Sequence, residues 1–132
     1  GYLHHYPFLP SGLALSSPNC LYPDTLYRGV VSEANDKLFY LGAQDQWFTF
    51  NMFDAQAWFV RDLILGDVKL PDAEEQRLSM DAWLTRFGSL ATAAEEIQFQ
   101  ADYIRDLIEP TDYPMFDLDE VVQIFLEWKK EK

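Results

Sequence analysis

The sequence predicts an α+β fold in which a β-hairpin is followed by about four helices. Two short runs rich in β-branched and aromatic residues, which favour strands, lie between positions 26 and 41. From residue 51 onwards, apolar residues recur every three or four positions, as on one face of a helix. Three of the four periodic segments also begin with a capping residue that is followed three positions later by Glu.

The first 25 residues are predicted to form an ordered but irregular loop, because their four prolines disfavour a long helix or a central strand. Their aromatic side chains are expected to pack onto another surface: Tyr2, Tyr6 and Phe8. His4 and His5 are adjacent, so they point apart, and no third His completes a metal site. The chain starts at Gly1 without Met, for which a partial sequence or a truncated reading frame is at least as good an explanation as natural processing.

The predicted hairpin consists of Leu26 to Val31 and Leu38 to Leu41. The residues between them, 32–37, have a turn-forming composition and a length suited to a hairpin loop. We therefore expect the two runs to pair antiparallel, with the second strand buried and ending at Gly42.

The first helix is predicted from Asn51 to Leu65, with Asn51 as its N-cap, Asp54 in its first turn and Gly66 as its C-terminal stop. Its apolar face is expected to pack on the sheet and to consist of Phe53, Ala57, Val60 and Ile64.

Three more helices are predicted, each opened by a capping pair: Asp72 with Glu75, Thr92 with Glu95, and Asp117 with Glu120. The second helix should end near Gly88 and the third before Pro110. The expected apolar stripes are, in order, Leu78, Trp83, Leu84 and Phe87, then Ile97, Ala101, Ile104 and Ile108, then Val121, Phe125 and Trp128. A short connection between the second and third helices favours an antiparallel pair.

The candidate site is the segment 43–50, here called the site loop, which leads from the second strand to the first helix. It mixes amides and a carboxylate with aromatic residues. Loops of this kind bind ligands in α/β proteins, because the free backbone N–H groups and the dipole of the following helix point there. Most strand–loop–helix junctions are nevertheless purely structural, so the residues alone leave both roles open.

Composition excludes several classes of function. A net charge of −12, from 10 basic and 22 acidic residues, makes nucleic acid and anionic membranes unsuitable partners. The single Cys20 excludes an internal disulfide framework and fits a reducing compartment, so we expect a cytoplasmic protein. No sequence motif for a nucleotide-binding glycine loop, a zinc protease or a serine hydrolase occurs, and no residue is predicted to be catalytic.

Five segments carry a resemblance to a known family: GYLHHYPFLP, LYPDTLYRGVV, FYLGAQDQWFTFNMFDAQAWFVRDLILG, DYIRDLIEPTDYPMFD and FLEWKK. With them the chain resembles the C-terminal portion of bacterial flavin-containing monooxygenases, most closely the trimethylamine monooxygenase branch. That resemblance implies an enzyme with two dinucleotide-binding domains that uses FAD and NADPH to oxygenate small amines. The glycine-rich fingerprints of such an enzyme would lie N-terminal to these residues, so the chain by itself is expected to be catalytically incomplete.

The resemblance also implies a division of the chain and a set of site residues. Residues 1–66 would form the C-terminal segment of the FAD-binding domain, and residues 67–132 would form a helical extension. Cofactor contacts are expected from Gln44, Gln46, Asn51, Met52 and Phe53. Trp47 is expected to line the substrate pocket, although a role in the core is nearly as good an interpretation. For Trp83 and Arg86, helix packing is favoured over a role in binding cofactor or substrate.

Two alternatives to the amine-oxidising reading stay open. The first is a stand-alone, mostly helical and non-catalytic module descended from that family, which would bind a protein partner through its aromatic surface. A neighbouring family that oxygenates ketones is the weaker alternative. If the chain is a fragment of an enzyme, its expected partners are the missing N-terminal portion or a second copy of the chain. Aromatic residues such as Phe39 and Trp58 would otherwise be left uncovered.

Overall fold

The computed structural model describes residues 4–131 and contains a two-stranded antiparallel sheet and four helices, which confirms the predicted fold class. The elements are β1 (Leu26–Tyr27), β2 (Val31–Ser32), α1 (Thr49–Leu65), α2 (Ala73–Gly88), α3 (Ala93–Ile108) and α4 (Leu118–Lys130). The expectation for Tyr2 lies outside the described residues.

The hairpin turn lies inside the first predicted strand, so the prediction of one continuous strand from Leu26 to Val31 is wrong. Arg28 and Gly29 both have positive φ, at 49° and 66°, and the amide of Val30 donates to the carbonyl of Tyr27 at 3.1 Å. Successive positive φ angles are typical of tight hairpin turns, and because Tyr27 pairs with Val31 the loop here consists of the three residues 28–30. Gly29 makes this turn possible, because glycine adopts a positive φ without steric cost. The residues on both sides of the turn are apolar, so the pattern of apolar residues predicts a continuous strand.

The second predicted strand is reduced to a bridge. Phe39 pairs antiparallel with Val31, and the amide of Tyr40 donates to the carbonyl of Val30 at 2.8 Å. The expected antiparallel direction is therefore present, but regular pairing stops because Leu41 is exposed and Gly42 turns the backbone with a φ of 69°.

α1 starts two residues earlier than predicted, and Asn51 is not its N-cap. Phe48 occupies the cap position without a side-chain hydrogen bond, and the first turn holds no acidic residue, so Asp54 lies further along than expected. The predicted stop is correct, because Gly66 adopts the left-handed conformation with a φ of 83°.

The predicted apolar face of α1 is wrong at three of its four residues, since Val60 alone among them is buried. Ala57 is exposed, Ile64 is 69% exposed and Phe53 is 36% exposed. The helix instead buries a face offset from the expected one, consisting of Met52, Ala55, Gln56, Phe59, Val60 and Asp62. A helix with apolar residues on several sides offers two candidate faces, and here a face containing the polar Gln56 is the buried one.

The other three helices begin as predicted. The carboxylates of Asp72 and Asp117 accept hydrogen bonds from the amides of Glu75 and Glu120, and Thr92 with Glu95 forms a complete capping box. These motifs are local in sequence, so their geometry follows once the helix forms.

α3 forms the centre of the core, where it packs against α1 and α4. Its four predicted apolar residues, Ile97, Ala101, Ile104 and Ile108, are all buried. α2 contacts α3 through two aromatic residues. Trp83 packs on Phe99 and Tyr103, and Phe87, one turn later in α2, packs on Phe99, the earlier of those two α3 residues. The two helices therefore run in opposite directions, as expected for an antiparallel pair. Two predicted stripe residues do not join the core, since Leu78 is 64% and Trp128 is 44% exposed.

The first residues are irregular, as expected, and form a second small core with the hairpin. Its buried members are Leu15, Leu26, Tyr40 and Ala43. Tyr6 packs edge-on against Tyr40, with ring centroids 5.2 Å apart, whereas Phe8 is 78% exposed. The main core combines residues from both sides of position 66, so the division into two segments stays a prediction.

Gly29→Ala tests the hairpin turn. A Cβ at this position would lie 2.7 Å from Tyr103 Oη and 2.8 Å from Gln44 Nε2, two buried groups held by their own hydrogen bonds. We expect the free energy of unfolding in urea to fall by about 2–4 kcal/mol, from the strained φ and the overpacking together. Gly66→Ala is the matched control, because its φ is also positive but no atom lies within 4 Å, so it should lose about 1 kcal/mol. Equal losses in the two variants would contradict the packing argument.

Candidate functional site

The site loop is anchored at both ends by buried side chains. Ala43 belongs to the small core, and Phe48 packs edge-on against Phe125 of α4 at a centroid distance of 5.1 Å. Between these anchors Asp45 is exposed, while Gln46 and Trp47 are partly buried. The loop therefore lies at the surface with a fixed entry and exit.

Gln44 points into the protein. It is 2% exposed, its Nε2 donates to the carbonyl of Leu21 at 2.9 Å, and its Oε1 accepts from Gln56 Nε2 at 2.5 Å. Both ends of its amide are thus used within the fold. Its observed role is structural, and its predicted contact with a cofactor stays a prediction.

Gln46 differs from Gln44 because part of its amide is free. Its Oε1 is buried and, within residues 4–131, has no hydrogen-bond partner, while its Nε2 makes only a long contact of 3.4 Å to the carbonyl of Gly42. A buried acceptor without a donor carries a desolvation cost. It is the orphaned polar atom of the site and fits a hydrogen-bond donor on a bound group.

The start of α1 presents backbone donors to the exterior. Thr49, Phe50 and Asn51 are exposed, and in the described part of the chain no side chain caps their amides. The first N–H groups of a helix have no partner within it, and the helix dipole adds partial positive charge there. Of the two remaining predicted contacts, Phe53 is 36% exposed, whereas Met52 is fully buried in the core.

Phe53 is held in place by Gly42. A Cβ on Gly42 would lie 2.4 Å from Phe53 Cε1, so the ring lies against the glycine backbone. Phe50, Asn51 and Phe53 line a cleft of about 470 Å³ together with Asp54 and Tyr113. Three residues of the predicted site region thus share one surface depression.

Tyr113 was not singled out in the sequence, because its partner lies 59 positions away. Its hydroxyl donates to Asp54 Oδ2 at 2.8 Å, and its ring packs edge-on against Trp58 at 5.2 Å. Desolvation, with a smaller contribution from the Asp54 carboxylate, raises the pKa of Tyr113 to about 12. At neutral pH this wall of the cleft therefore carries an un-ionised phenol.

Trp47 is covered by α4 and stands at the edge of the core. Its ring is in edge-on contact with Phe125 at 6.3 Å, and the ammonium of Lys129 lies 5.0 Å from its ring centroid. A cation over an aromatic face is attracted by the ring quadrupole. Lys129 therefore already occupies one face, so a role in packing is observed and a role in substrate binding stays a prediction.

Gln100 of α3 was also missed. It is fully buried, its Oε1 accepts from the Trp47 amide at 2.6 Å, and its Nε2 donates to the carbonyl of Asp45. Its position within an otherwise apolar helical face was the available signal, because a buried amide requires partners.

Trp83 and Arg86 lie away from the site loop and have packing roles. Trp83 stacks on Tyr22 at 5.9 Å, and Arg86 forms an ion pair of 2.5 Å with Asp102. No group of three or more His, Cys, Asp or Glu side chains in residues 4–131 is arranged to hold a metal ion. Nor does any helix in this range have the length and apolar character needed to cross a membrane.

Known proteins share both the sequence and the fold of this chain. It is 57% identical over 132 residues to trimethylamine monooxygenase of Methylocella silvestris, covering 100% of the chain and 29% of that relative. The crystal structure of Tmm from Pelagibacter sp. strain HTCC7211 superposes with a TM-score of 0.97 at 45% identity, covering 100% of this chain and 30% of that one. The chain matches a segment of trimethylamine monooxygenase. This finding confirms the resemblance read from the sequence.

A more distant relative extends the comparison. A flavin-containing monooxygenase of Aspergillus flavus is 28% identical over 112 residues, or 81% of this chain and 23% of the relative. No family model matches the chain. In each case the chain spans less than a third of the relative's length, so the activity of a whole trimethylamine monooxygenase is a matter for proposal.

Tyr113 gives the cleft a testable pH dependence. Because its folded-state pKa is about 12 against an ordinary value of 10.0, its contribution to stability is complete below pH 10 and is lost as the pH rises from there towards 12. Tyrosinate absorbance would be measured against pH in the unaltered chain and in Tyr113→Phe. The transition that only the unaltered chain shows should therefore have its midpoint near pH 12. Asp54→Asn should move that midpoint downwards by removing the carboxylate. A midpoint near the ordinary value in the unaltered chain would contradict the described contact.

Proposed function

We propose that this chain is the C-terminal part of an FAD- and NADPH-dependent monooxygenase that N-oxygenates small amines such as trimethylamine. The observation that carries the proposal is identity of 57% over the whole chain, together with a TM-score of 0.97 to a solved Tmm. A location in the cytoplasm is part of the same proposal and rests on the single Cys20, which allows no internal disulfide.

The exposed donors at the start of α1 and the orphaned Gln46 Oε1 fit a flavin. The amides of Thr49 to Asn51 would stabilise negative charge at the polar edge of a reduced ring, where the helix dipole acts in the same sense. Gln46 Oε1 would accept from a ring N–H, which would satisfy its missing hydrogen bond. A bound flavin supplies the oxygen chemistry, with electrons from NADPH. Phe53 would then cover the ring edge, whereas Gln44 and Met52 would act by supporting the loop and helix from beneath.

Trp47 would form an apolar wall beside that edge. With Lys129 on one face of its ring, the remaining surface would exclude water from the reacting centre and limit the size of the amine. In this arrangement none of the residues of the site loop exchanges a proton with the substrate.

The apolar residues exposed on α1 support binding of the chain to the rest of such an enzyme. Phe50 is 83%, Ile64 is 69% and Leu65 is 65% exposed. Ile64 also lines a groove of about 620 Å³ with Phe39 and Leu63. In the absence of the preceding portion, the same surface would drive self-association, which sedimentation velocity of the isolated chain would measure as a concentration-dependent rise in mass. A strictly monomeric chain would contradict this part of the proposal.

The second candidate function is a non-catalytic helical module that binds another protein. The same exposed apolar residues favour it, because apolar side chains left uncovered at both ends of α1 offer contacts for a protein partner. Activity measurements separate the two candidates, since only the first requires the chain to support amine oxidation.

A chimera tests the proposed function. The corresponding segment of the Methylocella silvestris relative would be replaced by residues 1–132 of this chain. We expect trimethylamine-dependent oxidation of NADPH with formation of the N-oxide, and bound flavin in the purified protein. The isolated chain, which lacks a glycine-rich fingerprint, should purify without stoichiometric flavin. A folded, flavin-loaded chimera that oxidises no amine would overturn the proposal and leave the interaction module as the better account.

Trp47→Ala in the active chimera tests the apolar wall. Loss of the ring should admit water, so NADPH oxidation continues while hydrogen peroxide accumulates and the yield of N-oxide per NADPH falls. If Trp47 acts only in packing, the substitution should cost about 3–5 kcal/mol of stability and lower all activities together. Trp83→Ala is the matched control, because it removes a tryptophan that packs on the same core but lies away from the site loop. Equal uncoupling in both variants would assign the effect to packing.

A further inference from the structure

Gln100 holds the site loop from below. Its side chain is fully buried in α3, and one amide group makes both contacts, accepting from the amide of Trp47 and donating to the carbonyl of Asp45. Two backbone groups two residues apart are therefore fixed by a single side chain. This is the pattern that a neighbouring strand would offer to an extended segment, and here it is supplied by a helix.

Few other contacts restrain this stretch of backbone. Within the described residues, the Asp45 amide donates to the carbonyl of Cys20 at 2.9 Å, and the hydrogen bonds of Gln46 reach only Asp45 and Gly42. Cys20 belongs to the irregular first segment, which is a weaker anchor than a helix. α3 is instead buried along most of its length and packs against α1 and α4.

We propose that Gln100 is a positioning residue that sets the backbone of Asp45 to Trp47, and with it the orientation of Gln46 and Trp47 at the start of α1. The inference rests on the proposed function for its catalytic consequence, but its structural half concerns this chain alone. Gln100 itself touches no cofactor or substrate. It acts because a shift of about 1 Å in positioning groups is enough to reduce the rate of an enzyme substantially.

Amide hydrogen exchange on the 132-residue chain tests the structural half. In the unaltered chain the Trp47 amide should exchange as slowly as amides inside α3. Gln100→Met keeps the length and volume of the side chain and removes both hydrogen bonds, so exchange at Trp47 should quicken by about tenfold or more, relative to amides of α3. Gln98→Met is the matched control, because Gln98 lies on the same helix and, among residues 4–131, donates only to Asp102. A Trp47 amide that exchanges freely in the unaltered chain would overturn the proposal even if Gln100→Met failed to fold.

The same pair of substitutions in the active chimera tests the catalytic half. Gln100→Met should lower the yield of N-oxide per NADPH by at least about twofold when folded protein is assayed well below its melting temperature, whereas Gln98→Met should leave the yield unaltered. Unchanged coupling in a Gln100→Met protein with faster exchange at Trp47 would overturn the positioning role. An unaltered chimera without amine oxidation would count against the proposed function, and the exchange rates would still decide whether Gln100 orders the loop.

Discussion

The need to satisfy buried amide groups determines how this chain is assembled. Gln56 is fully buried on α1, where its Oε1 accepts from the amide of Gly42 at 2.8 Å and its Nε2 donates to Gln44 Oε1 and to Tyr103 Oη. Tyr103 in turn donates to the carbonyl of Arg28 at 2.7 Å. One network therefore joins the hairpin turn, the site loop, α1 and α3. Each member left without a partner would cost about 1–3 kcal/mol, so the segments are fixed relative to one another.

This network and Gln100 act on successive parts of the site loop. Gln44 holds its beginning against the core, and Gln100 holds Asp45 and Trp47. Among the described residues, the unpartnered groups of this region are the buried Gln46 Oε1 and the backbone amides after Phe48, at the exposed start of α1. In a preorganised site, hydrogen bonds inside the protein hold the binding groups in position before any ligand binds. The buried amides here hold the site loop in this way, while some of its own polar groups stay without a partner from the part of the chain that the structure describes.

Features that depend on neighbours in sequence could be predicted, and those that depend on distant partners could not. The capping box of Thr92 with Glu95 and the stop at Gly66 follow from local geometry. The turn at Arg28 and Gly29 lies within an apolar run, where periodicity predicts a continuous strand and a single glycine is a weak signal. The buried face of α1 was misassigned since an apolar count cannot favour a face that contains Gln56. Gln100 meets its partners 53 and 55 positions away, a distance that no periodicity reports.

The contact between Gly42 and Phe53 has a consequence for redesign. Because a methyl group at position 42 would meet Phe53 Cε1 at 2.4 Å, any larger residue there must displace this ring, which lines the cleft beside Asn51 and Tyr113. The width of that depression is thus controlled by a residue that does not line it. Altering position 42 changes the space open to a visiting molecule while every chemical group facing that molecule stays the same, at a conformational cost of about 1–2 kcal/mol for the positive φ.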